Sequence, residues 1–166
     1  MLSRIKNIQG VTLVELMATL VIISLVATLA YQVLFQGYSN YNRIKVETEI
    51  RDEADLIMAS LVREIFTLKE KDISAKKFAG PKEYILEYQE NGVNYNTGIK
   101  SKAGYILVRN APLYISSSNI ILMETSTIVE IVKGEYEVKI VLKNVKTSKE
   151  MQFINTIRTI KEQEVN

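Results

Sequence analysis

Val11-Thr12-Leu13-Val14-Glu15, running on without a charged residue from Leu16 to Phe35, is the stretch that decides how this chain is read. The run from Leu16 to Phe35 holds no Asp, Glu, Lys or Arg, although those types make up 24% of the 166 residues. At about 1.5 Å of rise per helical residue it is long enough to span a hydrocarbon layer of roughly 30 Å. A plain soluble domain is excluded. Upstream, Met1 to Gly10 carries Arg4 and Lys6 and no acid. Basic residues beside an apolar span stay in the cytoplasm, so the bulk of the chain is expected on the far side of the cytoplasmic membrane, as a single-pass protein. Three arrangements fit: a signal peptide cut near Thr28-Leu29-Ala30, an uncleaved anchor, and a third that turns on Glu15.

A carboxylate inside an apolar segment costs about 2.5–3.5 kcal/mol on insertion scales. Neither a signal-peptide core nor a plain anchor has a use for it. One explanation is local. Thr12-Leu13-Val14-Glu15 has the S/T-x-x-E pattern of a capping box, in which Glu15 serves backbone donors at a helix start. The other begins at Gly10, which leaves room for a protease to grip the chain between basic leader and apolar segment. A cut there frees the amine of Val11, one helical turn from Glu15. In a bundle of such helices that amine pairs with the carboxylate of a neighbour, and neither charge stays bare in lipid.

Gly10-Val11-Thr12-Leu13-Val14-Glu15, with the apolar run to Ala30, resembles the prepilin cleavage and methylation motif. That motif defines type IV pilins and the related pseudopilins of type II secretion and DNA-uptake machines. The resemblance implies a leader peptide over residues 1–10, cleavage by prepilin peptidase between Gly10 and Val11, and N-methylation of Val11. It makes Glu15 the acidic fifth residue used in filament assembly. The family often has Phe where Val11 stands here, and smaller apolar residues also occur. The partners implied are prepilin peptidase, sibling pilins or pseudopilins, membrane lipid and the inner-membrane assembly platform. No cofactor, metal or catalytic residue is expected.

Downstream, Val46, Ile50, Ala54, Ile57, Leu61, Ile65 and Leu68 recur three or four residues apart, with Glu47, Arg51, Asp52, Asp55 and Arg63 between them. This predicts an amphipathic helix over 43–69. No proline precedes Pro81, so one helix is predicted from Val11 to about Leu68, close to 87 Å long at 1.5 Å per residue. Gly37 is its weak point, at up to about 1 kcal/mol. Tyr31, Phe35, Tyr38 and Tyr41 suit either an outer aromatic belt or subunit packing. After Asp72 the period changes to two. Tyr84, Leu86 and Tyr88 alternate ahead of Asn91-Gly92, a two-residue hairpin signal. Tyr105 to Arg109 and Ile120 to Met123 are short apolar runs. Ile128 to Lys133 leads into a second hairpin with Gly134 first in its turn, followed by alternating Tyr136, Val138, Ile140 and Leu142. Met151 to Ile160 reads as a last strand, with Phe153 as its core anchor.

The expected fold class is α+β: a long N-terminal helix, transmembrane over 11–35 and amphipathic in its second half, packed against an antiparallel β-sheet head. The head comprises residues 36–166, with strands from about 84 to 160. Ile50 to Ile65, with its Arg-Asp-Glu-Ala-Asp-Leu and Leu-Val-Arg-Glu-Ile strings, is similar to the stem of minor pilins akin to the J-type pseudopilins. Leu107-Val108-Arg109 is a candidate for their Leu-x-Arg strand element. A major pilin typically closes a C-terminal loop with two cysteines, which are missing here.

Other chemistry is narrowly limited. With no Cys and no His, the chain has no disulfide, thiolate nucleophile, Ser-His triad, imidazole base or Cys/His zinc site. Glu135 and Glu137 share a strand face, but no cleft follows from their spacing. A helix scatters Asp52, Glu53 and Asp55 around its surface, where they form no calcium loop. The net charge is +2, and residues 73–166 hold 13 basic against 10 acidic side chains. Lys76, Lys77, Lys139, Lys143, Lys146 and Lys149 therefore read as solvated surface, and strong nucleic-acid binding is not expected. The expectation is a minor pilin or pseudopilin, not an enzyme, assembled into a filament for secretion, DNA uptake, adhesion or motility. The alternative is a membrane-anchored binding domain that never polymerises. An exported enzyme released near Ala30 comes third.

Overall fold

The computed structural model describes residues 11–78 and 83–160. Leu13–Thr67 forms one helix, α1. Its start lies two residues beyond Val11 because Thr12 is spent as the cap. It ends without a glycine: the Leu68 N–H bonds the Ile65 carbonyl at 3.2 Å and the chain turns away. Gly37 is helical, and a Cβ built there meets nothing within 4 Å.

The chain divides into two compact units, Met1–Ile44 and Lys45–Asn166. In the first unit every described side chain from Val11 to Ile44 is exposed. The N-terminal part of α1 is apolar enough, and α1 long enough, to cross a membrane.

Among the described residues, the second unit contains the rest of α1 and nine strands. Strands β1 (Ile73–Lys77), β2 (Glu83–Glu90), β3 (Val93–Lys100), β4 (Tyr105–Val108) and β5 (Ala111–Tyr114) form an antiparallel sheet in that order. Strands β6 (Ile120–Leu122), β7 (Thr127–Val132), β8 (Glu135–Asn144) and β9 (Glu150–Arg158) form a second one. In it β8 is central, with β9 along one side and β6 and β7 in turn along the other. The predicted helical stripe is the core. Ile50, Ala54, Ile57, Leu61 and Ile65 cluster with Leu86, Ile99 and Ile106 of the first sheet and with Ile128, Val138, Ile140 and Leu142 of the second. Burying that stripe on both sheets is what holds the α+β fold together.

The antiparallel strands expected to cover the helix do so, divided into two sheets because residues 115–119 carry the chain from the first to the second. Several expectations need correction. Strands begin at Ile73, well before 84. Strand β1 carries Ser74, Lys76 and Lys77, and β5 carries Pro112, so neither shows the alternation that marks a strand. The Asn91-Gly92 hairpin is present, with φ of 51° and 79°. The next hairpin turns on Lys133-Gly134, since Val132 pairs with Glu135 after a register shift between Glu130 and Val132. Gly134 (φ 76°) is thus second in the turn. Phe153 is only half-buried, and Ile157 is the deep anchor of β9. Arg109 lies outside β4, in a two-residue turn with Asn110, both at positive φ.

Candidate functional site

Gly10 lies outside the described residues. Val11 is 75% exposed and immediately precedes the cap. Glu15 Oε2 accepts the Thr12 backbone N–H at 2.9 Å and the Thr12 hydroxyl at 3.1 Å. The Glu15 N–H returns a bond to Thr12 Oγ1 at 3.3 Å. This is the reciprocal capping box that the Thr-x-x-Glu spacing predicted, and it fixes the first turn of α1. Both bonds to the carboxylate use the same oxygen. A carboxylate in the first turn also faces the positive end of the helix dipole.

Polar side chains within the apolar run turn back on their own helix. The hydroxyls of Thr19, Ser24 and Thr28 donate to the carbonyls of Leu16, Val21 and Ser24, each at 2.8 Å. None needs water, which suits a helix surrounded by lipid or by other apolar helices. Tyr31 and Phe35 stack with ring centres 6.3 Å apart, and Tyr38 follows one turn later on the same side.

In the second unit the carboxylates of α1 do structural work that the sequence did not announce. Glu53, almost fully buried, accepts the backbone N–H groups of Ser116 and Ser117 at 3.1 and 2.9 Å. Glu49 accepts the Ser117 hydroxyl at 2.5 Å. Together they fix the crossover between the sheets. Near the other end, buried Glu64 accepts from the Tyr88 hydroxyl and from Arg109 Nη1 at 3.3 Å. The Arg109 guanidinium also contacts Glu90 and stacks 4.4 Å from the Tyr95 ring centre. Burial and the bond to Glu64 hold the Tyr88 phenol protonated well above its usual range. The left-handed backbone at Arg109 is thus held by side-chain contacts to the helix and to two strands.

A second cluster joins the two sheets. Lys76 Nζ lies 2.8 Å from Glu70 and 2.6 Å from Glu130, and 5.5 Å from the Tyr136 ring centre. Burial works against the charge of both Lys76 and Glu130, but pairing outweighs it. The lysine is raised above its ordinary value by Glu130 and Glu70, and Glu130 is lowered by Lys76 and the Gly134 N–H. Burial pushes Tyr136 up to about 12. Among the described residues no cluster of acidic side chains suits a metal ion. Glu135 and Glu137 stand on the outer face of β8, and Glu135 is engaged by Arg158.

Residues 5–31 match a family model described as the prokaryotic N-terminal methylation motif. No curated protein and no solved structure is significantly similar to the chain. The match supports a type IV pilin-like chain, processed by prepilin peptidase and assembled with other pilins. It points to a membrane-anchored structural subunit and away from an enzyme.

Proposed function

We propose that this chain is a minor pilin or pseudopilin, akin to the J-type subunits, cut between Gly10 and Val11 and methylated on Val11. The observation that carries the reading is the methylation motif over residues 5–31, leading into a helix segment whose every side chain is exposed. Such a surface is stable only in lipid or against other apolar helices. The subunit is held in the cytoplasmic membrane by residues 11–35, with its head, residues 36–166, on the outer side. It then moves through the assembly platform into a pilus or pseudopilus serving secretion, DNA uptake, adhesion or motility. In the filament Glu15 receives the methylated Val11 amine of a neighbour on the oxygen that its cap leaves aside, so cap and ion pair coexist.

Intact-mass measurement on membrane-extracted protein tests the processing. Loss of residues 1–10 and gain of one methyl group are expected. A chain that keeps Met1, or that begins at Tyr31, overturns the reading.

A further inference from the structure

We propose that the end of the head where α1 enters it docks on anionic phospholipid headgroups of the bilayer that holds residues 11–35. This rests on the membrane anchor of the reading above, and on neither cleavage at Gly10 nor filament assembly.

Three loops gather at that end. The crossover, residues 115–119, is tied to α1 by the bonds from the Ser116 and Ser117 amides to Glu53. The turn from β8 to β9, residues 145–149, is tied to it by Lys149, whose Nζ lies 3.0 Å from Glu47. The Val145 N–H also bonds the Asn119 carbonyl of the crossover at 2.8 Å. The loop from β3 to β4, residues 101–104, leads into Tyr105, which pairs with Tyr114 just before the crossover. These loops read Ser-Lys-Ala-Gly, Ile-Ser-Ser-Ser-Asn and Val-Lys-Thr-Ser-Lys, with Lys102, Lys146 and Lys149 and no acid among them. The helix adds Arg43 and Lys45 as it enters. Three of its acids are turned onto the head itself, Glu47 onto Lys149 and Glu49 and Glu53 onto the crossover serines. Glu150, which follows the turn, stands opposite Lys143. At the other end of the head, residues 68–72 carry Glu70 and Asp72. Scattered along the sequence the lysines read as solvated surface; the fold collects them at one end.

The turn at 145–149 holds a fixed shape. The Asn144 side chain accepts the Lys146 and Thr147 N–H groups at 3.0 and 3.1 Å, and the Asn144 N–H bonds the Lys149 carbonyl at 2.8 Å. Every residue from Val145 to Lys149 is exposed, Val145 at 48%. An exposed apolar side chain among lysines suits the boundary between headgroups and acyl chains. Distance allows the contact. Lys45 follows Phe35 by ten residues of α1, about 15 Å of helical rise. Headgroups fill roughly 5–7 Å beyond the hydrocarbon. What remains is about one Debye length at physiological salt, and the lysine stems shorten it further. Basic clusters beside a membrane span are drawn to an anionic leaflet, and a neutral one gives them no such field. The charges therefore select anionic lipid as the occupant.

The chain has no cysteine, so Thr147→Cys in the full-length protein takes a single nitrobenzoxadiazole label at the turn. Val93→Cys, exposed and paired with Glu90 at the opposite end of the head, is the control. Each is reconstituted into vesicles of phosphatidylcholine, alone or mixed with phosphatidylglycerol, that carry a quenching spin label on the headgroup. Quenching at Thr147 is expected to be at least threefold stronger in the mixed vesicles, and to fall to the phosphatidylcholine level in 1 M salt, where the Debye length is about 3 Å. At Val93 the two bilayers should give equal quenching. Proximity through the tether alone is the same in both bilayers, so the difference reports lipid charge. Lys102→Glu with Lys146→Glu should abolish the difference. Lys69→Glu with Lys133→Glu, the same change of charge at the far end, should leave it. The lipid and salt comparisons use the native lysines, so they can refute the proposal whatever the charge variants do to folding. Equal quenching in the two bilayers, quenching that survives salt, or a far-end pair that abolishes the difference as well overturns the proposal. A chain washed from the vesicles by carbonate overturns the membrane anchor and this proposal with it; an anchored chain indifferent to lipid charge overturns this proposal alone.

Discussion

Glu15 caps α1 and, on the proposed reading, also receives a neighbour's Val11 amine; Glu15→Gln separates the two. An amide still accepts from the Thr12 N–H, so the helix start survives with much of its cap. The ion pair to a neighbour's Val11 amine does not survive. Breaking a buried pair costs about 3–5 kcal/mol, enough to lower incorporation about a hundredfold or more. Cleavage at Gly10 should persist, and insertion of the single subunit into lipid should be no worse. The expected product is cleaved, membrane-resident and missing from sheared filaments by immunoblot. Normal incorporation would leave Glu15 as a helix cap. A different residue-scale test falls on Lys76. Glu130 has a lowered folded value, so its contribution is present above the ordinary glutamate range and is lost as pH falls through that lowered value. Lys76 has a raised value, so its contribution is complete below the ordinary lysine range and is lost as pH rises through the raised value. Stability should therefore hold level between roughly pH 4.5 and 10 and fall on both sides. Lys76→Met should lower stability on that plateau by about 1–2 kcal/mol, discounted from buried-pair values because both groups are partly exposed. It should also flatten the acid limb, read as Tm against pH. An unchanged acid limb would show that the pair contributes nothing.

At the scale of elements, the close approach of β2 and β3 rests on Gly98. A Cβ there would sit 1.9 Å from the Tyr84 carbonyl oxygen, which is backbone and cannot swing aside. Gly98→Ala should force the strands apart and cost more than about 3 kcal/mol, measured by denaturant midpoint. An alanine variant of near-normal stability would mean that the ladder yields easily. The role of that glycine was invisible in the sequence, because the backbone it meets, at Tyr84, lies on another strand. The helix stripe from Ile50 to Leu68 was legible because burial on one face imposes a three-four spacing that solvent-facing residues cannot imitate. Asn91-Gly92 was legible because a tight hairpin needs two positive φ values. Strands β1 and β5 were hidden because edge strands shed their alternation, and the Gly134 turn was misplaced by one residue because a bulge leaves no mark in composition. For the candidate site, the Thr12–Glu15 box followed from four residues of local spacing. The roles of Glu49, Glu53 and Glu64 did not, since their partners lie 24 to 68 positions away.

At the scale of the whole molecule, one helix serves two units with opposite needs: one leaves every described side chain outside, and the other hides a stripe under two sheets. That sharing has a mechanical consequence. A pull transmitted along the part of α1 that lies within the second unit shears the buried stripe from Ile50 to Ile65 along its length. Peeling breaks contacts one at a time, whereas shear loads Ile50, Ile57, Leu61 and Ile65 together. Resistance to forced unfolding is set by the rate of crossing the unfolding barrier, and contacts loaded in parallel raise that barrier. The Glu53 bonds to the Ser116 and Ser117 amides stand at the end where traction enters. The Glu64 contacts with Tyr88 and Arg109 brace the far end. A rod pinned by charged groups at both ends of its greased face behaves as a tensile anchor, able to bear a pull without surrendering its sheets.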